Sequence, residues 1–522
     1  MLARFLLVSL IMDAVLEEAT IHQRRQTLHM MTNGFGLDDA YRTTFGRIKE
    51  LKGNKAKIGM EVLMWVSRSQ RLLKAPELCH ALAVEVGTTD LNVHNIPSIR
   101  TLLSCTLGLV TIDEQESTVR LVHFTLQEYL AAHPNLFITT HSMMAEICLT
   151  YLNFRSICEL PTTLGAIPPT APFLHYASCY WGFHARKEMT ELVKHLAIGH
   201  LERDANHISA DILLREENVE FLCRVDRYYR KENPDLHGFT GLHCISYMGI
   251  TEIAIDMVNM KRWDLNGRDS KGATPLMWAA KYGNFALAQL FLQQAAVDPT
   301  LRDYYGQTPL THAARAGHEG VVKILLERGD VNPDLPDAGG RTPLSCTAKS
   351  GHEGLVKILL ERGDVNPDLL DRDDCTPLSA ASESGHEGVA KILLARGDVN
   401  PGRLDGCGWT PLSRAAASGH ESVVKLLLER GDVNPDPLSF DGETPLILAA
   451  RSGHEGVVKI LLERGDVNPD SLDDDRWTPL SYAIRVGHEG VVKMLLERRD
   501  AHPNWPDMRG LASVRNGAVR PS

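Results

Sequence analysis

Six times between residues 318 and 489 a histidine is followed directly by a glutamate: His318-Glu319, His352-Glu353, His386-Glu387, His420-Glu421, His454-Glu455 and His488-Glu489. A His-Glu pair is half of the H-E-x-x-H arrangement that holds zinc and places a general base beside it. No second histidine follows at the required spacing. Packed helical units lie roughly 8–10 Å apart, too far for histidines of neighbouring units to share one zinc at bonds of about 2 Å. The histidines therefore read as framework. The ten cysteines (79, 105, 148, 158, 179, 223, 244, 346, 375 and 407) include no CxxC pair and no ligand spacing. That is the usage of reduced thiols in a cytoplasmic protein, so no metal is expected. The chain holds no G-x-S-x-G nucleophile elbow and no G-x-x-x-x-G-K-[ST] phosphate loop, since its nearest glycine-lysine stretch, Lys52 to Gly59, has the wrong order. No enzyme and no cofactor are expected.

The chemistry-bearing pairs belong to a larger period. Thr-Pro-Leu starts at Thr274, Thr308, Thr342, Thr376, Thr410, Thr444 and Thr478, each 34 residues after the last, with an eroded copy at Thr240. A strict period of this length marks stacked supersecondary units. Each threonine is placed to cap a helix, and the proline after it suits the first helical position because its missing N–H would have no partner there. Gly317 and its equivalents end that helix. A second helix, from about His318 to Arg328, carries Val321, Val322, Ile324, Leu325 and Leu326 as an apolar stripe. Asp, Asn, Pro and Gly then make a protruding turn.

These starts, the central Gly-His and the LLERG ends closely resemble the ankyrin repeat over every position of seven successive units. Here the fold class is expected to be mainly α: an ankyrin-repeat solenoid of about eight units over residues 236–505, preceded by a winged-helix domain and a helical linker. The family's histidine after Leu survives only as His243. Elsewhere Met277, Thr311, Ser345, Ser379, Ser413, Ile447 or Ser481 stands there. Asp374 and Arg476 replace a turn glycine, and arginine tolerates positive φ less well than aspartate. Trp263 and Trp505 are candidate caps for the two ends of the stack.

The units serve as their own comparison: GHEGVVKILLERGDVNPD recurs almost unchanged while the turn tips and the ends of the first helices vary. Varying tips hold Tyr304, Tyr305, Gln307, Arg341, Arg372, Asp373, Trp409, Phe440, Glu443 and Trp477. Varying inner-helix positions hold Lys281, Tyr282, Arg315, Lys349, Glu383, Arg451 and Arg485. In ankyrin proteins such positions line the concave face, so the resemblance implies a protein partner there; drift after duplication would leave the same pattern. Lys281, Arg315, Lys349, Arg451 and Arg485 form a basic row inside acidic tips, either open to a partner's acidic ridge or neutralised by nearby carboxylates.

Charge agrees with a protein partner. Of the formal net charge of -11, residues 251–500 supply nearly all, with 28 Lys+Arg against 38 Asp+Glu. An acidic stack repels phosphate backbones and anionic lipid, so neither nucleic acid nor membrane is expected as partner. Met1 to Met12 resembles a short signal sequence but lacks a small-residue cleavage site, and reads as a buried helix.

In the amino-terminal half, helices at Ile58–Ser67, from Pro76-Glu77 and at Ile99–Cys105, then a hairpin from Leu109 to His123, read as a winged helix over 53–133. Its third helix has one Arg and no Lys, which speaks against DNA. The phrases WVSRSQRLLKAPELCHALAVE, LLSCTLGLVTIDEQESTVRLVHFTLQEYL and FLHYASCYWGFHAR resemble fungal NACHT-ankyrin proteins, relatives of NOD-like receptors and heterokaryon-incompatibility proteins. The resemblance implies that residues 1–52 are a helical remnant of the end of a NACHT module; residues 134–235 read as a helical linker and 506–522 as a disordered tail. It also matches His123 to a histidine that touches nucleotide phosphates, a weak nucleotide-binding candidate without a phosphate loop. The leading expectation is a scaffold forming the sensor half of a NACHT-type signalling protein. The alternative is a subunit, or a truncated gene model, of a nucleotide-driven STAND ATPase switch.

Overall fold

The computed structural model describes residues 15, 20–25, 36–137, 140–161, 166–202, 208–222 and 237–499. They are mainly helical and belong to two compact units, residues 1–279 and 280–522. The apolar start Met1–Met12, Trp505 and the tail 506–522 lie outside the described residues.

In the first unit, α1 (Leu37–Lys49), α2 (Lys55–Arg68), α3 (Ala75–Ala83) and α4 (Ile99–Cys105) precede strands β1 (Val110–Asp113) and β2 (Thr118–Leu121), and α5 (Phe124–Ala132) follows. The strands pair antiparallel from Val110↔Leu121 to Asp113↔Thr118. The stretch before α3 joins their edge, with Val119 N donating to Leu73 O at 2.9 Å and Ala75 N to Ser117 O at 2.8 Å. Helix α3 starts where expected because Glu77 accepts from Lys74 N at 2.7 Å. Helix α4 starts at Ser98, whose hydroxyl accepts from Thr101 N at 3.2 Å. Helix α2 buries Val62, Leu63, Met64 and Trp65. It presses so closely on α4 that any Cβ at Gly59 would collide with the Cys105 carbonyl.

Trp65 carries this core into the helices that follow, meeting Phe173 edge-on at 5.6 Å. Those helices are α6 (Thr140–Leu152), α7 (Leu174–Lys187), α8 (Glu191–Leu201) and α9 (Ile208–Leu222). Between α6 and α7 lies a polar relay: His184, fully buried, sits 2.9 Å from His141 Nδ1 and 2.9 Å from the Tyr176 hydroxyl. Burial, with His141 beside it, holds the His184 pKa down to about 3, so the ring stays neutral. Helices α7 and α8 cover the first repeat, Gly241–Met248 and Thr251–Asn259. A Cβ at Gly182 would strike Met248, and one at Gly241 would come within 2.9 Å of Leu201 and 3.2 Å of Trp263. The expected cap residue Trp263 is thus packed at this end.

In the second unit, the first helices of six repeats are Pro309–Ala316, Pro343–Ser350, Pro377–Ser384, Pro411–Ser418, Pro445–Ser452 and Pro479–Val486. Each is capped by its threonine hydroxyl, as at Thr376, which accepts from Ser379 N at 3.1 Å. The second helices run over Glu319–Leu326, Glu353–Glu361, Glu387–Leu394, Glu421–Leu428, Glu455–Leu462 and Glu489–Arg499. Inside the stack Leu310, Val322, Leu325, Leu344, Val356 and Leu359 are wholly buried. At Gly385 the chain turns left-handed (φ +77°), and a Cβ would lie 2.5 Å from the next repeat's His420 ring. Glycine is required there twice over.

The histidines of the His-Glu pairs bind the preceding repeat. Nε2 donates to the carbonyl of Lys281, Arg315, Lys349, Glu383, Ala417 or Arg451 at 2.9–3.2 Å, from His318, His352, His386, His420, His454 and His488 in turn. The residues after Leu behave differently. His243 spans to Ala273 O at 3.1 Å, whereas Ser345 and Ser481 turn back on Thr342 O and Thr478 O at 2.9 and 2.8 Å. Serine is too short to reach the next repeat.

Asp374 and Arg476 keep the positive φ of the glycines they replace, at 55° and 62°. A left-handed L-residue costs roughly 1–2 kcal/mol, partly offset by the about 0.5–1 kcal/mol of chain entropy that glycine loses on folding. Arg476→Gly is therefore expected to stabilise the protein by about 0.5–1 kcal/mol, read as a higher urea midpoint. A lowered midpoint would show that Arg476 makes contacts outweighing its strain.

Candidate protein-binding face

Each turn tip is built on one residue five positions before the threonine: Asp269, Asp303, Asp337, Asp405, Ser439 and Asp473, all buried, and Asp371, which is half-buried. The Asp405 Oδ1 accepts from Cys407 N at 2.8 Å and Trp409 N at 2.9 Å, and Asp337 holds Gly339 N and Arg341 N at 2.8 and 3.0 Å. The second carboxylate oxygen reaches the first helix, meeting Trp278 at 2.8 Å, His312 at 2.9 Å, Arg414 at 2.6 Å and Tyr482 at 2.7 Å. Burial and the Asp473 carboxylate push the Tyr482 phenol up to about 12, so it remains a donor. Consecutive tips are also joined by backbone bonds, such as Ala338 N to Tyr305 O at 2.7 Å and Arg372 N to Gly339 O at 2.9 Å. The stapling role of the aspartates was not read from sequence, where Asp371 and Asp473 counted only among the acidic tips, and Arg414 was not singled out, although the aspartate's 34-residue recurrence was there to be read.

The variable residues divide by accessibility. Tyr304, Tyr305 and Phe440 are 69%, 45% and 67% exposed, and Arg372 is exposed. Trp409 and Trp477 are half-buried, each under a guanidinium, that of Arg414 at 5.0 Å and that of Arg485 at 5.0 Å. Lys281 lies over the Tyr282 ring at 5.3 Å, and both residues are half-buried. Gln307 and Glu443 depart from the expectation of free contact residues, since both are buried. The Gln307 amide oxygen accepts from Arg315 at 2.9 Å once it is turned toward the guanidinium, and Glu443 pairs with Arg451. Side chains this short, beside a long cation, are covered by it.

The basic row is largely neutralised. Arg315 and Arg341 share Asp337 at 3.3 and 3.1 Å, Lys349 approaches Glu383 at 4.0 Å, and Arg451 has Glu443 and the Tyr482 ring at 5.7 Å. The inner helices therefore do not present a stripe of bare cations, while the exposed tip residues include Tyr304, Tyr305 and Phe440 beside charged side chains.

Overlapping stretches that together run from 174 to 507 match the family model described as Ankyrin repeats (3 copies). The chain belongs to the ankyrin-repeat family. The match begins at α7, ahead of the expected boundary at 236, consistent with α7 and α8 packing on the first repeat. Residues 48–139 match the model described as GPI inositol-deacylase, winged helix domain. No curated protein matches the chain.

In the winged helix, the ring of His123 is engaged in capping α5: Nδ1 accepts from Thr125 N at 3.3 Å and lies 2.8 Å from the Thr125 hydroxyl, itself 2.8 Å from the Tyr41 hydroxyl. No helix among the described residues is long and apolar enough to cross a membrane.

Asp405→Ala would strand two backbone donors and the Arg414 guanidinium. It is expected to cost about 3 kcal/mol in urea unfolding, where Arg372→Ala at an exposed tip stays within about 0.5 kcal/mol. Equal effects would refute the stapling role.

Proposed function

We propose that this ankyrin-repeat chain is a non-enzymatic scaffold in the cytoplasm. It captures a partner protein on the face made by the tips and inner helices, and it serves as the recognition half of a NACHT-type signalling system. The observation that carries the reading is the contrast between a nearly unchanging, repeatedly bonded frame and aromatics that differ from tip to tip: the exposed Tyr304, Tyr305 and Phe440 and the half-buried Trp409 and Trp477. Aromatic residues and arginines are the side chains in which interface hot spots are enriched, because they bury much area with little entropy loss. The NACHT-type placement is supported by the winged-helix match and by the resemblance of the segments around it.

Combined Trp409→Ala and Trp477→Ala is expected to leave the circular dichroism spectrum intact and to weaken partner capture about tenfold or more. Undiminished capture would move the binding site elsewhere. For the nucleotide alternative, titration calorimetry of the purified chain with ATP or ADP is expected to give no binding heat. Binding abolished by His123→Ala would replace the scaffold with a nucleotide switch.

A further inference from the structure

The residue just before each stapling position changes character along the stack. It is Arg302 and Pro336 in the earlier repeats, then Leu370, Leu404, Leu438 and Leu472. The last three are 44%, 61% and 54% exposed, although leucine is ordinarily buried. Being equivalent positions of successive units, they stand in register, and the tips that carry them are tied together by Gly406 N to Asp373 O at 2.8 Å, Phe440 N to Cys407 O at 3.3 Å and Asp474 N to Asp441 O at 3.0 Å. Around them Asp373, Asp374, Asp441, Asp474 and Asp475 are exposed, against exposed Arg372, Arg403 and Arg476. The surface is thus a rigid apolar row in an acidic surround.

We propose that the leucine row Leu404–Leu438–Leu472 docks an amphipathic helix of a partner protein, with its apolar seam on the leucines and lysines or arginines on its flanks. This inference rests on the scaffold reading and gives the partner its chemistry. Stacked units recur at about 10 Å, and seven residues of an α-helix rise about 10.5 Å, so apolar residues one heptad apart meet successive leucines. An extended partner fits less well: the tips' backbone groups already bond to neighbouring tips, which leaves little edge for strand addition, whereas a helix arrives with its own backbone satisfied. The acidic surround selects basic flanks and repels acidic ones.

The test uses the full chain and three fluorescent synthetic peptides of the same length: leucine at each heptad position with lysine flanks, the same leucines with glutamate flanks, and the lysine peptide with serine for leucine. Anisotropy is expected to show binding of the first alone, weakened about tenfold or more in the variant Leu404→Ser/Leu438→Ser/Leu472→Ser. Circular dichroism of that variant should be unchanged, since its substitutions are exposed. Equal binding by the triple variant, or by the glutamate or serine peptide, would overturn the proposal. So would sedimentation showing that the leucines join two copies of the chain. If the triple variant captures the partner normally while the Trp409/Trp477 variant does not, the scaffold reading stands and the leucine-row docking falls.

Discussion

The structure depends on the contact between one repeat and the next. A single helical pair has too little interior to bury its own apolar stripe, so Val322, Leu325, Val356 and Leu359 become buried only when neighbours stack. Each such side chain is worth about 1.5–3 kcal/mol on burial, against about 1 kcal/mol for a neutral hydrogen bond, so packing supplies the energy. The His-to-carbonyl bonds fix the spacing and angle at which that packing occurs. They can form only where the left-handed glycine leaves room for the ring, as Gly385 does for His420. The most repeated residues of the chain are therefore those of the joint, and their chemistry is mechanical.

The same constraint decides what remains for recognition. The frame consumes its own charges. Arg328, Arg362, Arg396, Arg430 and Arg464 each clasp an aspartate two residues on and also donate to a carbonyl of the preceding repeat, as Arg362 does to Asp364 at 2.7 Å and to Leu326 O at 2.5 Å. The stapling aspartates are spent on backbone N–H groups, and most of the inner-helix cations on carboxylates or rings. Despite its many charged residues, the second unit presents aromatic rings and leucines at its tips, within an acid-rich field that biases which partner approaches. Rigidity follows as well: tips bonded to one another hold these side chains in place, so little entropy is lost on binding.

Much of the architecture was legible in the sequence because its signals are local. Thr308 to Gly317 announces a capped helix and its stop by short-range chemistry alone, and the 34-residue period repeats that announcement. In the winged helix, the Pro76-Glu77 start, the segment Ile99–Cys105 and the hairpin from Leu109 to His123 were read from sequence, and the observed bounds are Ala75–Ala83, Ile99–Cys105 and Val110–Leu121. The face was less legible. Gln307 and Glu443 vary between repeats like true surface residues, yet they are buried by arginines eight residues on, a coverage no spacing rule expresses. The neutralised basic row has the same origin. Arg315 meets Asp337 across 22 positions, and that pairing exists only once two repeats stack.

The sequence by itself determined that there are repeats, where their helices begin and end, and which residues change from copy to copy, since caps, glycines and periodicity act within a few residues of themselves. Only the tertiary structure decided which of the changing residues stay accessible, which charges are cancelled, that His184 is sealed beside His141, and that Leu404, Leu438 and Leu472 from three separate repeats are exposed. Those properties depend on side chains far apart in the chain, brought together by stacking.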